Sequence, residues 1–401
     1  MAAGRRLSPT SSPFENRPPL IDRLAYRFAA QEKFARGYAP LYARLFGLIA
    51  GWLSAPEWAA DPLVNWLLQV AAGRRSLPVT NLLLAGLHQR VLAAEPDVAE
   101  LAAYYPTVGG NKPPDEDDLP QILRAAIRHN QAELGAFIQQ ATVQTNETAR
   151  GLAWVLPLSF VSWKAVHLVD LGASAGLNLV ADRRSFGLED PTGKVIILND
   201  APRPVQFQTR VTGELGPLAR TGLLPEITGR SGIDIHPFLL ETAADEQILR
   251  SFIWADQPHR LVRLEEGLAA FREIQAGDVP VRLSAVDIPA ELPEFLHARE
   301  GHDPVLIYNT YMTVYLSDRG ESLREIIGQW AKTQPRPVLW TQWEPARDKD
   351  PPHTGWCAWT VDCWQRGNHR QWHPGWVQPH GTEAQFTSDF TTMAEILPNV
   401  Y

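Results

Sequence analysis

With 401 residues the chain exceeds the ~100–200 residues of one ordinary domain, so it calls for two units or one unit with large insertions. Apolar residues at 45% and charged residues at 20% exclude a disordered chain, and a formal charge of −8 excludes a strongly basic nucleic-acid binder. Two cysteines exclude a disulfide framework: Cys357 and Cys363 sit in strand-like sequence, on one face and too far apart to bridge.

The opening MAAGRRLSPT has no apolar core behind its arginines. The best apolar stretch, Leu45 to Ala55, is about half of the ~20 residues needed to span a bilayer. A soluble, cytoplasmic chain without a membrane partner is expected. Up to about residue 160 the pattern is helical. Leu20, Ile21, Leu24 and Phe28 form one apolar face, and Leu41, Leu45, Leu48, Ile49 and Trp52 another. Leu63, Trp66, Leu67 and Val70 continue the series, followed by Leu83, Leu87 and Val91. The acids Asp115 to Asp118 are expected to cap one long helix carrying Leu123, Ile127, Leu134, Phe137, Ile138 and Ala141. They lack the spacing and turn glycine of a calcium loop.

From His167 the pattern becomes α/β. His167–Leu171 reads as a short strand, followed by glycines and a helix from about Ala175 to Arg184. Further strands are expected at Ile233–Ile235, Val281–Ala285, Val305–Tyr308 and Val338–Trp343, with helices at Asp245–Trp254, Arg260–Ile274 and Glu321–Trp330 between them. Such alternation implies a parallel, doubly wound sheet. Residues 185–230, with strand-like runs at Val195–Leu198 and Val205–Val211, read as an insertion. After Gly355 the alternation of Trp356, Ala358, Thr360 and Asp362 suggests closing antiparallel strands. Eight of the 14 tryptophans lie from Trp330 to Trp376, where packing in core and sheet explains them. The expected division is a helical cap over 1–162 and a Rossmann-like α/β domain over 163–401.

The strongest chemical signal is Val169-Asp170-Leu171-Gly172-Ala173-Ser174-Ala175-Gly176-Leu177-Asn178, between a predicted strand and helix. Three readings meet there. In the first it is a cofactor loop: Gly172 permits the turn, Ala173, Ser174 and Ala175 allow close approach, and Gly176 lets the helix pack near the strand. An acid before the first glycine is the pattern of S-adenosylmethionine methyltransferases, and the G-x-G-x-x-G spacing of dinucleotide dehydrogenases fails. Asp234, ending Gly232-Ile-Asp-Ile-His-Pro237, could accept two hydrogen bonds from a ribose diol, with Asp200 as the alternative. Asp287, after Val281–Ala285, falls where an adenine-side acid would. In the second reading Gly172-Ala-Ser-Ala-Gly176 is a G-x-S-x-G nucleophile elbow of a serine esterase, with Ser174 as nucleophile and Asp303 with His353 or His373 as partners; no HGGG oxyanion motif precedes it. In the third the small residues only let a helix pack on the sheet, leaving a non-catalytic ligand-binding protein.

Gln144-Thr145-Asn146-Glu147, then Gly172-Ala-Ser-Ala-Gly-Leu-Asn-Leu179, Gly232–Pro237 and the 252–263 segment with Trp254 and Asp256-Gln257, resemble an uncharacterised, mainly bacterial family of unknown function, DUF2332. The resemblance runs from about Leu20 to Glu344. It implies the fold of class I S-adenosylmethionine-dependent methyltransferases and leaves the reaction open. In one departure from the family pattern, Asn309-Thr310 precede Tyr311 and Tyr315.

Several further residues could line the site. Gln144, Asn146, Glu147 and Arg150 join the helical and α/β regions; they could bind substrate over the glycine turn, or cap the next helix. Asn178, Asn309 and Tyr315 are substrate candidates, and Glu147 and Tyr311 are candidates for a base, since methyl transfer needs alignment and, for a protonated acceptor, proton removal. His353, Cys357, Cys363, His369 and His373 lack the spacing of a recognised zinc site, so no metal is expected. The expected ligands are S-adenosylmethionine and a small-molecule acceptor.

Overall fold

The structure, a computed structural model, describes residues 19–400 apart from 59, 75, 145, 146, 200, 202–207, 300, 348 and 349. The chain forms two compact units: residues up to Val143 with Gln247–Pro258, and Gln144–Glu246 with His259–Tyr401. Among the described residues no helix is long and apolar enough to cross a membrane.

The first unit is helical: α1 Leu20–Ala35, α2 Pro40–Ser54, α3 Pro62–Ala71, α4 Ser76–Leu92, the short α5 Ala99–Ala102, α6 Leu119–His129 and α7 Gln131–Gln140. Leu24 and Phe28, Leu45 and Ile49, Leu83 and Leu87, Leu123 and Ile127, and Leu134 and Ile138 meet in one core, as their helical spacing requires. Each such side chain contributes about 1.5–3 kcal/mol by leaving water. Asp61 caps α3, its Oδ1 accepting from the N–H groups of Leu63 (2.9 Å) and Val64 (3.2 Å).

Two expectations are corrected here. The single long helix after the acidic stretch is two helices, because Asn130 leaves helical geometry (φ −111°, ψ 22°) and its Nδ2 donates to the Ala126 carbonyl at 2.8 Å. Asp118 stands at the N-terminal flank of α6 but caps nothing: its carboxylate accepts from Tyr104 Oη and from Lys112 Nζ at 3.1 Å.

The returning segment 247–258 also has a structural task. Trp254 stacks on Tyr38 (5.6 Å) and Tyr42 (5.0 Å), Asp256 Oδ2 accepts from the Leu41 N–H at the start of α2 (2.8 Å), and Gln257 Nε2 donates to the Tyr38 carbonyl at 2.6 Å.

The second unit is mixed α/β, built on one large, mostly parallel sheet. Its strands are β1 Ala165–Leu171, β2 Phe186–Glu189, β3 Val195–Leu198, β4 Gln208–Gly213, β5 Glu226–Asp234, β6 Val281–Ala285, β7 Val305–Thr310, β8 Val338–Pro345, β9 Cys357–Gln365, β10 Asn368–Val377 and β11 Glu383–Phe386. They lie in the order β3-β2-β4-β11-β10-β9-β8-β7-β1-β5-β6. The section β8-β7-β1-β5-β6 is parallel throughout. Helices α8 Leu152–Leu158, α10 Pro258–Gln275, α11 Leu292–His297, α12 Glu321–Thr333 and α13 Ser388–Ile396 accompany them, while α9 Ala243–Ser251 begins in this unit and lies mostly in the first. β7 and the last four residues of β1 are almost wholly buried, which is why they read as unbroken apolar runs. The 185–230 stretch contributes β2, β3 and β4 to the same sheet and opens β5, which starts seven residues before the expected Ile233; the first part of the strand expected over Val205–Val211 lies outside the described residues.

The tryptophans fill this unit. Trp340, Trp343 and Trp359 are buried, Trp359 Nε1 donates to Thr341 Oγ1 at 3.1 Å, and Trp343 meets Trp359 edge-on at 5.1 Å. Cys357 and Cys363 are both free and buried on β9.

The helix expected over Ala175–Arg184 is instead a 3-10 stretch, Leu177–Arg183, kinked at Val180. Its carbonyls are claimed from outside: Asn178 O by Trp154 Nε1, Leu179 O by Arg230, and Asp182 O by Asn199 Nδ2. With these oxygens engaged by side chains, the segment takes the tighter 3-10 form.

Candidate functional site at the carboxyl edge of the sheet

After β2 to β4 at the far end of the sheet, the chain adds β5 and β6 on one side of β1 and then β7 and β8 on the other, so the strand order reverses between β1 and β7. At such a point the loops leaving the two strands diverge and open a crevice. Most of the residues singled out from the sequence come to this edge.

Asp170 lies opposite Gly232 of β5 and Tyr308 of β7, and Tyr308 Oη donates to its Oδ2 at 2.8 Å. Burial pushes the Asp170 carboxyl from 3.8 up to about 7, with the Tyr308 hydrogen bond opposing and the nearby Asp234 charge reinforcing the rise. The turn that follows holds Gly172 (φ 80°), Ser174 (φ 51°) and Gly176 (φ 73°) in left-handed geometry. Its amides are mostly spent within the fold. Gly172 N and Ala173 N donate to the Ile233 carbonyl (2.8 and 3.0 Å), and Gly176 N to that of Ala173 (2.8 Å). Ser174 N donates to Asp234 Oδ2 at 3.0 Å, and Ser174 Oγ to Gln144 Oε1. Asp234 Oδ1 also accepts from His236 N at 2.9 Å, so each carboxylate oxygen keeps one lone pair for another donor.

Each turn glycine is needed sterically. A Cβ on Gly176 would stand 3.0 Å from Val281 Cγ1, and one on Gly172 would stand 2.5 Å from Met312 Cγ. Gly172→Ala is therefore expected to lower stability by about 2–4 kcal/mol, from left-handed strain plus the clash. A urea unfolding midpoint reads the loss, and adding Met312→Ala should return only the packing part; full recovery would show that φ is not strained.

Asp287 is exposed beyond β6, tied beside Asp234 by the Val286 N–H to Asp234 O bond of 2.9 Å. On the other side of the crevice Tyr311 adopts φ 56°, and Glu344, at the end of β8, holds the turn around it. Glu344 Oε1 accepts from Asn309 Nδ2 (2.7 Å) and Met312 N (2.8 Å), and its Oε2 from Thr313 N (3.1 Å) and Thr313 Oγ1 (2.7 Å). Asn309 is fully buried, with its Oδ1 accepting from Trp340 Nε1 at 2.8 Å, so it positions this turn rather than facing a ligand. Glu344 did not emerge from the sequence. The available signal was an acid ending an apolar strand, the same that marked Asp234.

Glu147 is buried and ion-paired with Arg260 Nε at 3.0 Å and Arg263 Nε and Nη2, both at 3.2 Å; the imidazole of His380, whose pKa burial lowers, lies with Nδ1 3.3 Å away. Burial alone would raise its pKa, but the two guanidiniums and His380 hold the carboxyl well below 4.5. A carboxylate so stabilised is a poor proton acceptor. Tyr311 fares no better as a base, since burial raises its phenol above 10. Arg150 is buried beside them, donating from Nε to Pro379 O (3.0 Å) and from Nη1 to Thr310 O (3.4 Å), with its guanidinium carbon 5.5 Å from the Tyr311 ring centre. Asn178 is half-buried with its Oδ1 unbonded, and Tyr315 is 78% exposed. Asn146 and Asp200 lie outside the described residues.

Of the esterase partners, the acid falls elsewhere. Asp303 accepts from Thr228 Oγ1 at 2.7 Å, at the start of β7 and β5 and so at the opposite end of the sheet from Ser174. His353 packs on Trp356, and His373 N donates to Asp389. Among the described residues no group of three or more His, Cys, Asp or Glu side chains could hold a metal.

The second unit is thus a mixed α/β fold whose mostly parallel sheet gathers acids, a glycine turn and buried arginines at one edge. The chain belongs to the family described as uncharacterized protein conserved in bacteria (DUF2332), whose profile matches residues 23–385. No curated protein and no solved structure matches it significantly.

Proposed function

We propose that the edge between β1 and β7 binds S-adenosylmethionine and that the protein transfers its methyl group to a small molecule. The observation that carries this reading is the strand order β6-β5-β1-β7-β8 with acids at the ends of β1 and β5 and just after β6. With β2 to β4 set aside, that order matches the 3-2-1-4-5 winding of Rossmann-like sheets, whose ligands sit where the order reverses, and the likeness supports the reading. The continuation differs from the usual methyltransferase arrangement, because β9 follows β8 directly as an antiparallel neighbour. The occupied amides of the glycine turn speak for the same ligand. They offer little to a pyrophosphate, whereas S-adenosylmethionine carries no phosphate and asks chiefly for acceptors to its ribose hydroxyls. Asp234, with a spare lone pair on each oxygen, takes the ribose; Asp287 takes the adenine side. Glu147, Tyr311 and Asn309 hold the crevice in shape.

Titration calorimetry with S-adenosylhomocysteine tests this. Binding is expected, weakened on the order of 10- to 100-fold in Asp234→Asn, as loss of a charged hydrogen-bond acceptor implies. Absence of heat and of any thermal shift with S-adenosylmethionine and S-adenosylhomocysteine would sink the reading. The left-handed Ser174 at the tip of the turn supports the serine-esterase alternative. Its hydroxyl is bonded to Gln144 and, among the described residues, to no histidine, so labelling by a fluorophosphonate that disappears in Ser174→Ala is the result that would establish it.

A further inference from the structure

Arg150 is only 7% exposed and forms no ion pair among the described residues; its partners are two carbonyl oxygens and the face of Tyr311. Its Nη2 makes no hydrogen bond among the described residues. Arg260, 9% exposed, donates from Nε to Glu147, and its two Nη atoms make no hydrogen bond among the described residues. The two side chains belong to one cluster. Arg150 Nε is held by the Pro379 carbonyl, the adjoining His380 lies 3.3 Å from Glu147 Oε2, and that oxygen accepts from Arg260 Nε. The carboxylates of Glu147 and Glu344 favour the Arg150 charge from beyond ion-pair range, but both are engaged by other donors. Glu147 is shared between Arg260 and Arg263, and Glu344 is committed to Asn309, Met312 and Thr313. A buried guanidinium without a counter-ion is costly, and a fold retains one where an anion is to be received. Guanidinium N–H pairs present the planar fork that matches carboxylate and phosphate oxygens.

We infer that Arg150 and Arg260 form an oxyanion site beside the end of β7, and that the small molecule bound at this edge carries a carboxylate or phosphate group. This names the acceptor's class and rests on the reading of the edge as a methyl-transfer site. The anion is gripped by Arg150 Nη2 and the Arg260 Nη atoms while Tyr311 closes one side. The lack of a competent base in Glu147 or Tyr311 suits an acceptor delivered by its charge rather than activated by deprotonation.

The test is calorimetry on the full chain with inorganic phosphate and with acetate, at constant ionic strength in chloride, with no cofactor present. Saturable binding of at least one anion is expected, weakened on the order of 10-fold or more in Arg150→Met and in Arg260→Lys. The lysine variant keeps a cation for Glu147, so it stays folded while losing the fork; a circular-dichroism melt checks this. The same titration is repeated with S-adenosylhomocysteine saturating, and simultaneous binding is the expected result. Mutual exclusion would assign the arginines to the cofactor's own carboxylate and overturn the inference. So would absence of saturation in the wild type, or equal affinity in folded Arg150→Met and Arg260→Lys. Anion binding without S-adenosylhomocysteine binding would leave this site standing and remove the methyl-transfer reading; the converse would remove only this site.

Discussion

Glu147→Gln is expected to destabilise the protein by about 3–5 kcal/mol, because it leaves Arg260 and Arg263 buried without their counter-charge. The magnitude follows from burial. The carboxylate is 2% exposed and the two arginines 9% and 4%, so water cannot replace the lost charge as it does around a surface pair. The pH dependence gives an independent check. The folded-state pKa of Glu147 lies well below 4.5, so its stabilisation is present above the unfolded value and is lost as pH falls through the folded one. Urea titrations should show a wild-type acid limb in that window that Glu147→Gln lacks. A loss under about 1 kcal/mol near neutral pH would mean that solvent screens the cluster as at a surface, contrary to the burial. Removing Glu147, Arg260 and Arg263 together for apolar residues should restore much of the loss, since the penalty arises from orphaned charges rather than from missing attraction.

Legibility from the sequence followed the range of the interactions. The apolar runs of β1, β7 and β8 were visible because a strand buried on both faces writes itself as a continuous run. The left-handed turn at Gly172–Gly176 was visible because it needs glycine locally. The break at Asn130 and the 3-10 stretch at Leu177–Arg183 were not, because each depends on a side chain that claims a carbonyl, in the second case from Trp154, Asn199 and Arg230. The partners of Glu147 were equally hidden: Arg260, Arg263 and His380 lie more than a hundred residues away in sequence. A charged residue's type can be read from its own position; whether it is a free base or half of a buried ion pair is decided by residues that no local pattern links to it.

Asp170→Asn is expected to stabilise the protein above neutral pH and to impair binding at the β1–β7 edge. Asp170 is 4% exposed, and its move from 3.8 to about 7 corresponds to a ceiling of roughly 4 kcal/mol against the ionised form. The sign is opposite to that of Glu147. A carboxyl whose folded pKa is raised supports the fold fully only below its unfolded value, and that support drains away as pH rises through the folded value. Asparagine keeps an oxygen to accept from Tyr308 Oη and has no charge to bury. The two proteins should therefore be equally stable near pH 4, with a gap in favour of Asp170→Asn opening by pH 8 to about 2–4 kcal/mol. Urea midpoints at the two values measure it, and a gap that closes or reverses with rising pH would show that Asp170 ionises without penalty. In the same variant, S-adenosylhomocysteine affinity should fall while the fold gains stability. An acid retained at a strand end against its own electrostatics, in a sheet where neutral residues would serve packing better, is what a binding edge demands and a scaffold does not.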